Sequence, residues 1–132
     1  MSKAIPNVDR YMTKTPFSIG QEQTLAYAHR LMRDHGIRHL PVLDGGKLAG
    51  VISDRDLHLI EAFLDVAEEV PVEEAMTPLV YVVSPKAPLD EVVSEMAEHK
   101  YGCAVVMDRN KVVGMFTTID AMRALSELFG TR

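Results

Sequence analysis

The stretch Gly50-Val-Ile-Ser-Asp-Arg-Asp56 returns 64 positions later as Gly114-Met-Phe-Thr-Thr-Ile-Asp120. Both read glycine, two apolar residues, a hydroxyl residue, two variable residues and an aspartate. Working outward in the same register, Val8 falls on Val72 and Met12-Thr13 on Met76-Thr77. Leu25 falls on Leu89, and Met32 and His35 on Met96 and His99. Val42, Asp44 and Lys47 fall on Val106, Asp108 and Lys111. No insertion is needed between Val8 and Ile60. A fixed register with a shared apolar pattern is the mark of one supersecondary unit used twice.

Each copy reads strand, helix, strand, strand, helix. Phe17-Ser18-Ile19 and Val80 to Val83 are short and rich in β-branched and aromatic residues, as strands are. A helix near Thr24 to His35 places Leu25, Ala28 and Met32 on one face, and its counterpart places Leu89, Val92, Val93 and Met96. Pro88 suits a first helical turn and Gly36 a helix stop. Two strands then flank a tight turn, at Asp44-Gly45-Gly46 and at Asp108-Arg109-Asn110. These residue types tolerate the positive φ of such hairpins. Closing helices follow near Asp54 to Leu64 and Thr118 to Phe129. The expected class is α/β (α+β), two β-α-β-β-α repeats, with repeat one at 8–64, a short acidic linker at 65–71 and repeat two at 72–129. A single copy of about 60 residues buries too small a share of its surface to be comfortable alone. The two are therefore expected to pack into one core.

The chain of 132 residues is 47% hydrophobic and 25% charged, an ordinary globular composition that excludes disordered and collagen-like chains. Its net charge of −5, with no long basic run, argues against a binder that works by neutralising phosphates along a nucleic acid. The lone cysteine, Cys103, can form no intrachain disulfide and fits a reducing compartment. No apolar run is long enough to span a bilayer, and Met1 to Asn7 holds no apolar leader core. A cytoplasmic location is expected, with neither nucleic acid nor membrane as partner.

Chemistry concentrates where the last strand of each copy meets its last helix. A helix N-terminus offers N–H groups and a positive dipole end, which suit an anion. Asp56 and Asp120 lie one turn in, where a carboxylate can accept two hydrogen bonds from a vicinal diol such as a ribose. Ser-x-x-Asp is equally close to a capping box, in which hydroxyl and acid satisfy the helix's own N–H groups. Both readings stand at this point. Pro41 lacks a ladder donor and points to a sheet edge or a strand start.

A tandem of such units, each ending in Gly-h-h-Ser/Thr-x-x-Asp, resembles a pair of cystathionine-β-synthase (CBS) domains, or Bateman module. The openings Val8 to Met12-Thr13 and Val72 to Met76-Thr77 agree, as does Ile37-Arg38-His39-Leu40-Pro41-Val42. The resemblance implies a flat pseudo-two-fold module with clefts between the repeats. It also implies a regulatory sensor that binds adenosine-containing ligands of the AMP, ADP, ATP, S-adenosylmethionine or NAD type and signals to a partner protein in trans. The aspartate would hold the ribose and the hydroxyl residue would lie near the phosphate. Carried over, ligand site one comprises Ser53, Asp56 and Arg55 with Thr15, Phe17, His39, Leu40 and Pro41. Ligand site two comprises Thr117 and Asp120 with Leu79, Tyr81, Cys103, Ala104 and Val105. Arg38, His39 and Arg55 surround only the first motif, so that site is expected to favour phosphate-bearing ligands.

No nucleophile–base pair or metal-ligand spacing is visible, so neither enzymatic activity, nor a metal, nor an obligatory cofactor is expected. His35 and His99 read as helix-end residues, and Cys103 as a small packed side chain. The closing helices carry apolar residues on more than one stripe: Leu57, Leu59, Ile60, Phe63 and Leu64, then Ala121, Met122, Ala124, Leu125, Leu128 and Phe129. Such helices are covered on two sides, by a second copy in a homodimer or by the other repeat. The competing function is a structural or protein-interaction module whose clefts bind nothing.

Overall fold

The hairpin turns set the frame. Gly45 and Gly46 adopt φ of 56° and 87°, and Arg109 and Asn110 adopt 53° and 63°. Positive φ at both central residues gives a two-residue loop the twist that matches its strands. The structure is a computed structural model that describes residues 4–14, 16–61 and 69–130, with 60 and 61 described by backbone alone. In chain order the elements are β1 (Thr13–Lys14), β2 (Ile19–Gly20), α1 (Leu25–His35), β3 (His39–Asp44), β4 (Lys47–Ser53) and α2 (Asp54–Glu61). Then follow β5 (Val82–Val83), α3 (Leu89–His99), β6 (Cys103–Asp108), β7 (Lys111–Thr117) and α4 (Thr118–Gly130). Short 3-10 turns, Val8–Arg10 and Val72–Glu74, open the two copies. Phe63, Leu64 and most of the expected linker fall outside the described residues.

The chain divides into two compact units, Phe17–Val80 and Met1–Pro16 with Tyr81–Arg132. The first holds a sheet of order β2-β3-β4, parallel then antiparallel. Its core gathers Ile19, Leu25, Ala28, Met32, Leu40, Val42, Ile52, Leu57 and Val72. The second holds a sheet of order β1-β7-β6-β5 over Val8, Val83, Leu89, Val92, Met96, Ala104, Val106, Phe116 and Ala124. Thr24 caps α1 by accepting from the Tyr27 N–H at 3.2 Å, and Gly36 ends it at φ 62°. The matching end of α3 puts Lys100 at φ 59° without a glycine. Pro88 is the N-cap of α3, one residue before its first turn.

The opening segment of each copy in sequence completes the unit built by the other copy. Val8 N–H donates to the Ala87 carbonyl at 2.8 Å, Asp9 N–H to Pro85 at 3.1 Å, and Leu89 N–H to Pro6 at 2.9 Å. The repeat-equivalent bonds run from Val72 to Gln23 at 2.7 Å, Glu73 to Gln21 at 3.0 Å, and Leu25 to Val70 at 3.0 Å. Val8 and Val72 are fully buried in the cores they reach. Burial of that kind contributes about 1.5–3 kcal/mol per side chain.

β3 is the central strand of its sheet, so Pro41 is at an edge only locally. It sits beyond the reach of β2, which pairs only with Val42 and Leu43. In the other copy the equivalent Val105 N–H donates to the Tyr81 carbonyl at 2.9 Å. Proline has no hydrogen to give there. Accordingly β2 starts at Ile19, one repeat position later than β5, which starts at Val82. The expected strand at Phe17-Ser18-Ile19 shortens for that reason.

Candidate functional site

The hairpin β3–β4 carries the first motif. His39 lies opposite Ser53 in the register, and the chain turns straight from Ser53 into α2. Ser53 N–H donates to Asp56 Oδ2 at 2.9 Å, and Asp56 N–H donates to Ser53 Oγ at 3.1 Å. This is a reciprocal capping box, so the capping reading holds. The Asp54 N–H donates to the Arg38 carbonyl at 2.9 Å. Three N–H groups around the start of the helix are thus taken internally. This corrects the expectation of a terminus rich in free donors. Among the described residues, Asp56 Oδ1 receives no hydrogen bond. Arg38 and Arg55 are exposed, and Asp56, Ser53 and His39 are half-buried. Burial is the largest influence on His39 and lowers its pKa; Asp54 and Asp56 act against that, and Arg38 adds to it.

The second motif repeats the cap and adds to it. Thr117 N–H donates to Asp120 Oδ2 at 3.0 Å, and Asp120 N–H reaches Thr117 Oγ1 at 3.5 Å. Thr117 Oγ1 also donates to Oδ2 at 3.3 Å. The Thr13 hydroxyl, on β1, donates to Oδ1 at 3.4 Å and Oδ2 at 3.5 Å. Arg123 Nη1 lies 3.4 Å from Oδ1. Asp120 is 3% exposed, the single buried charged residue among those described. Among the described residues Oδ1 is open in Asp56 and held in Asp120, and Asp120 Oδ2 takes the added contacts from Thr117 and Thr13. Sequence reading missed Thr13 because it lies 107 residues from its partner. Arg123 was visible only as the counterpart of Leu59.

The motif glycines have a clear role. A Cβ on Gly50 would lie 2.6 Å from the Thr77 carbonyl oxygen and 3.0 Å from Met76 Sδ. A Cβ on Gly114 would meet Met12 Sδ, with Met12 Cγ at 2.9 Å. What approaches closely is the Met-Thr of the incoming opening segment.

The remaining expected residues divide by place. Leu40 and Ala104 send their side chains into the two cores. Pro41 and Val105 are also buried but belong to neither cluster, since they point from the opposite face of each sheet. Phe17 is 48% exposed and stacks on His35, with ring centroids 3.7 Å apart. Tyr81 stacks on Tyr101, which stacks on His99, each at 5.2 Å. Burial raises the Tyr81 pKa, with help from Glu95 and Glu91. Cys103 faces Thr117 in the register, and burial pushes its thiol up to about 11, so it is protonated at neutral pH. Leu79 is 90% exposed and belongs to the unit Phe17–Val80, apart from the other residues of its expected set. Thr15 lies outside the described residues. Three exposed side chains that spacing did not mark as a metal set, Glu95, Glu98 and His99, bring ligand-type atoms within 4.8 Å of one another. Among the described residues no helix is long and apolar enough to cross a membrane.

Comparison with known proteins places these features in a family. The CBS domain model matches residues 8–60 and 72–127. Inosine-5′-monophosphate dehydrogenase of Korarchaeum cryptofilum is 29% identical over 133 residues, covering 100% of this chain but only 27% of that enzyme. The CBS domain pair of protein MJ0100, solved with 5′-methylthioadenosine and S-adenosyl-L-methionine, is 28% identical with a TM-score of 0.85, covering 95% of this chain and 99% of that one. CBSX2 in complex with AMP is 25% identical with a TM-score of 0.78, covering 93% and 98%. The reciprocal caps, the exchanged opening segments and these likenesses agree: the chain belongs to the CBS domain family and carries two CBS domains in tandem.

Proposed function

We propose that this chain is a regulatory module that binds an adenosine-containing ligand of the AMP, ADP, ATP, S-adenosylmethionine or NAD type and passes the occupancy to a protein partner in trans. The observation that carries the reading is the state of Asp56. One oxygen is fixed by the Ser53 cap, which orients the carboxylate, and the other is open among the described residues. A ribose diol can then donate to both oxygens without dismantling the helix start, because each oxygen has two lone pairs. Arg55 and Arg38 supply positive charge for a phosphate beside it. Phosphate-bearing ligands are therefore favoured at this motif. The adenosine-type ligands of the MJ0100 and CBSX2 structures support the ligand class. The module is proposed to bind rather than to catalyse, with no obligatory cofactor, in the cytoplasm, and with neither nucleic acid nor membrane as partner.

Calorimetric titration with AMP, adenosine, S-adenosylmethionine and NAD tests this. Asp56→Asn is expected to weaken binding at this motif roughly 10- to 100-fold, the worth of a charge-assisted hydrogen bond. No heat and no thermal shift with any of the four at millimolar concentration would sink the ligand reading.

The second reading is a protein-interaction module. It is favoured by α4, whose outer stripe of Ile119, Met122, Leu125 and Phe129 is 48%, 64%, 54% and 70% exposed. Ala124, on its inner face, is buried. The occupant proposed for this stripe is a second copy of the chain, since an apolar helix face is self-complementary across a two-fold axis. Sedimentation analysis should find a dimer that Met122→Glu dissociates; a monomeric parent protein overturns it.

A further inference from the structure

We propose that Thr13 is a latch on the second motif: it occupies the Asp120 oxygen that a sugar diol needs. The Asp120 position is thereby the weaker of two ligand positions, and filling it frees strand β1. The inference rests on the reading of the motif aspartates as diol acceptors.

The asymmetry is atomic. Both aspartates use Oδ2 for the cap. Among the described residues only Asp120 has its Oδ1 engaged, by Thr13 Oγ1 and Arg123 Nη1, both at 3.4 Å. The repeat equivalents are Thr77 and Leu59. Thr77 makes no side-chain hydrogen bond among the described residues, and Leu59 carries no donor. The Asp120 side chain is 4% exposed, so a diol must displace a donor to reach it. Arg123, whose contact is also 3.4 Å and whose side chain is 73% exposed, can swing aside, and so can Thr13. The Thr13 bonds, at 3.4 and 3.5 Å, are long for hydroxyl to carboxylate and so are weak. A diol at ordinary distance would outcompete them.

What Thr13 lets go of has a structural consequence. β1 is two residues long and pairs only with β7, Thr13 with Met115 and Lys14 with Gly114. Both of its residues are exposed. The same segment packs Met12 onto Gly114 and buries Val8. Losing the Thr13–Asp120 contact loosens the short edge strand that ends this segment. Occupancy at Asp120 is thus read out at the segment Val8–Lys14, whereas occupancy at Asp56 breaks no such contact.

The test uses 5′-AMP and the whole chain. Asp56→Ala leaves Asp120 as the remaining motif carboxylate. In that background Thr13→Val is expected to tighten AMP binding about two- to threefold, the worth of one weak net hydrogen bond. Thr13→Ser, which restores a hydroxyl, should return it to the parent value. Hydrogen exchange gives a readout that needs no variant: in the unmodified protein, AMP at a concentration that fills both positions should speed exchange of the Thr13 and Lys14 amides. Unchanged or weaker affinity in the Thr13→Val background overturns the latch while AMP binding itself stands. Unchanged exchange at β1 under saturation does the same. If the unmodified protein binds no AMP at all, the latch falls, and the ligand reading falls with it only if adenosine, S-adenosylmethionine and NAD fail as well.

Discussion

Adding one methyl group at each motif glycine separates the two units. At Gly50 the new Cβ would lie 2.6 Å from a backbone atom, the Thr77 oxygen, which cannot swing aside. That oxygen accepts from Val51 N–H at 3.0 Å, and the Thr77 N–H returns a bond to Val51 at 2.8 Å. Moving the segment far enough sacrifices both bonds. At about 1 kcal/mol net each, that is about 2 kcal/mol. Overpacking of Met76 adds up to about 1 kcal/mol, and the reduced freedom of the unfolded chain returns about 0.4–1 kcal/mol. Gly50→Ala should therefore cost about 2 kcal/mol. At Gly114 the three nearest atoms all belong to the Met12 side chain, which can change rotamer. Gly114→Ala should cost about 1 kcal/mol or less, and Met12→Ala in the same chain should remove most of that penalty. Urea unfolding, comparing midpoints at constant m, measures both. If Gly50→Ala proves no more costly than Gly114→Ala, the close approach of the Thr77 backbone is not what the glycine is for.

Two further outcomes follow from the same geometry. The fragment 17–80 contains Val70, Val72 and Thr77 with their partners, while 8–64 lacks them; circular dichroism should find the first fragment markedly more ordered, and equal order would contradict the exchange of opening segments. His39 has a folded pKa below its unfolded value of 6.5, so the unfolded state binds its proton more readily. Its contribution favours folding above that value and is lost as pH falls from about 6.5 through the lowered folded pKa. His39→Gln should flatten that part of the pH profile, and Asp56→Asn should push the His39 titration, followed by NMR, lower still. A His39 titration at or above 6.5 would refute this.

Much of the fold lay open in the sequence, because period and punctuation are local. The apolar spacing in Leu25, Ala28 and Met32 marks a helix face, and Gly45-Gly46 marks a turn whatever surrounds them. The capping box was legible for the same reason, since Ser53 and Asp56 are three residues apart. What each face packs against was not legible. Spacing marked Val8 and Val72 as repeat partners, but could not say that each serves the other copy's core. The edge placement of Pro41 holds only locally, because whether β3 has a neighbour at that residue depends on where β2 begins.

The sequence by itself determined the repeat, its elements and the two aspartates. Tertiary structure alone decided that those aspartates are unlike. Their motifs match in pattern, and the difference arises at Oδ1, where Thr13 arrives from 107 residues away and Arg123 replaces Leu59. A hydrogen bond depends on distance in space, and a repeated motif records only distance along the chain.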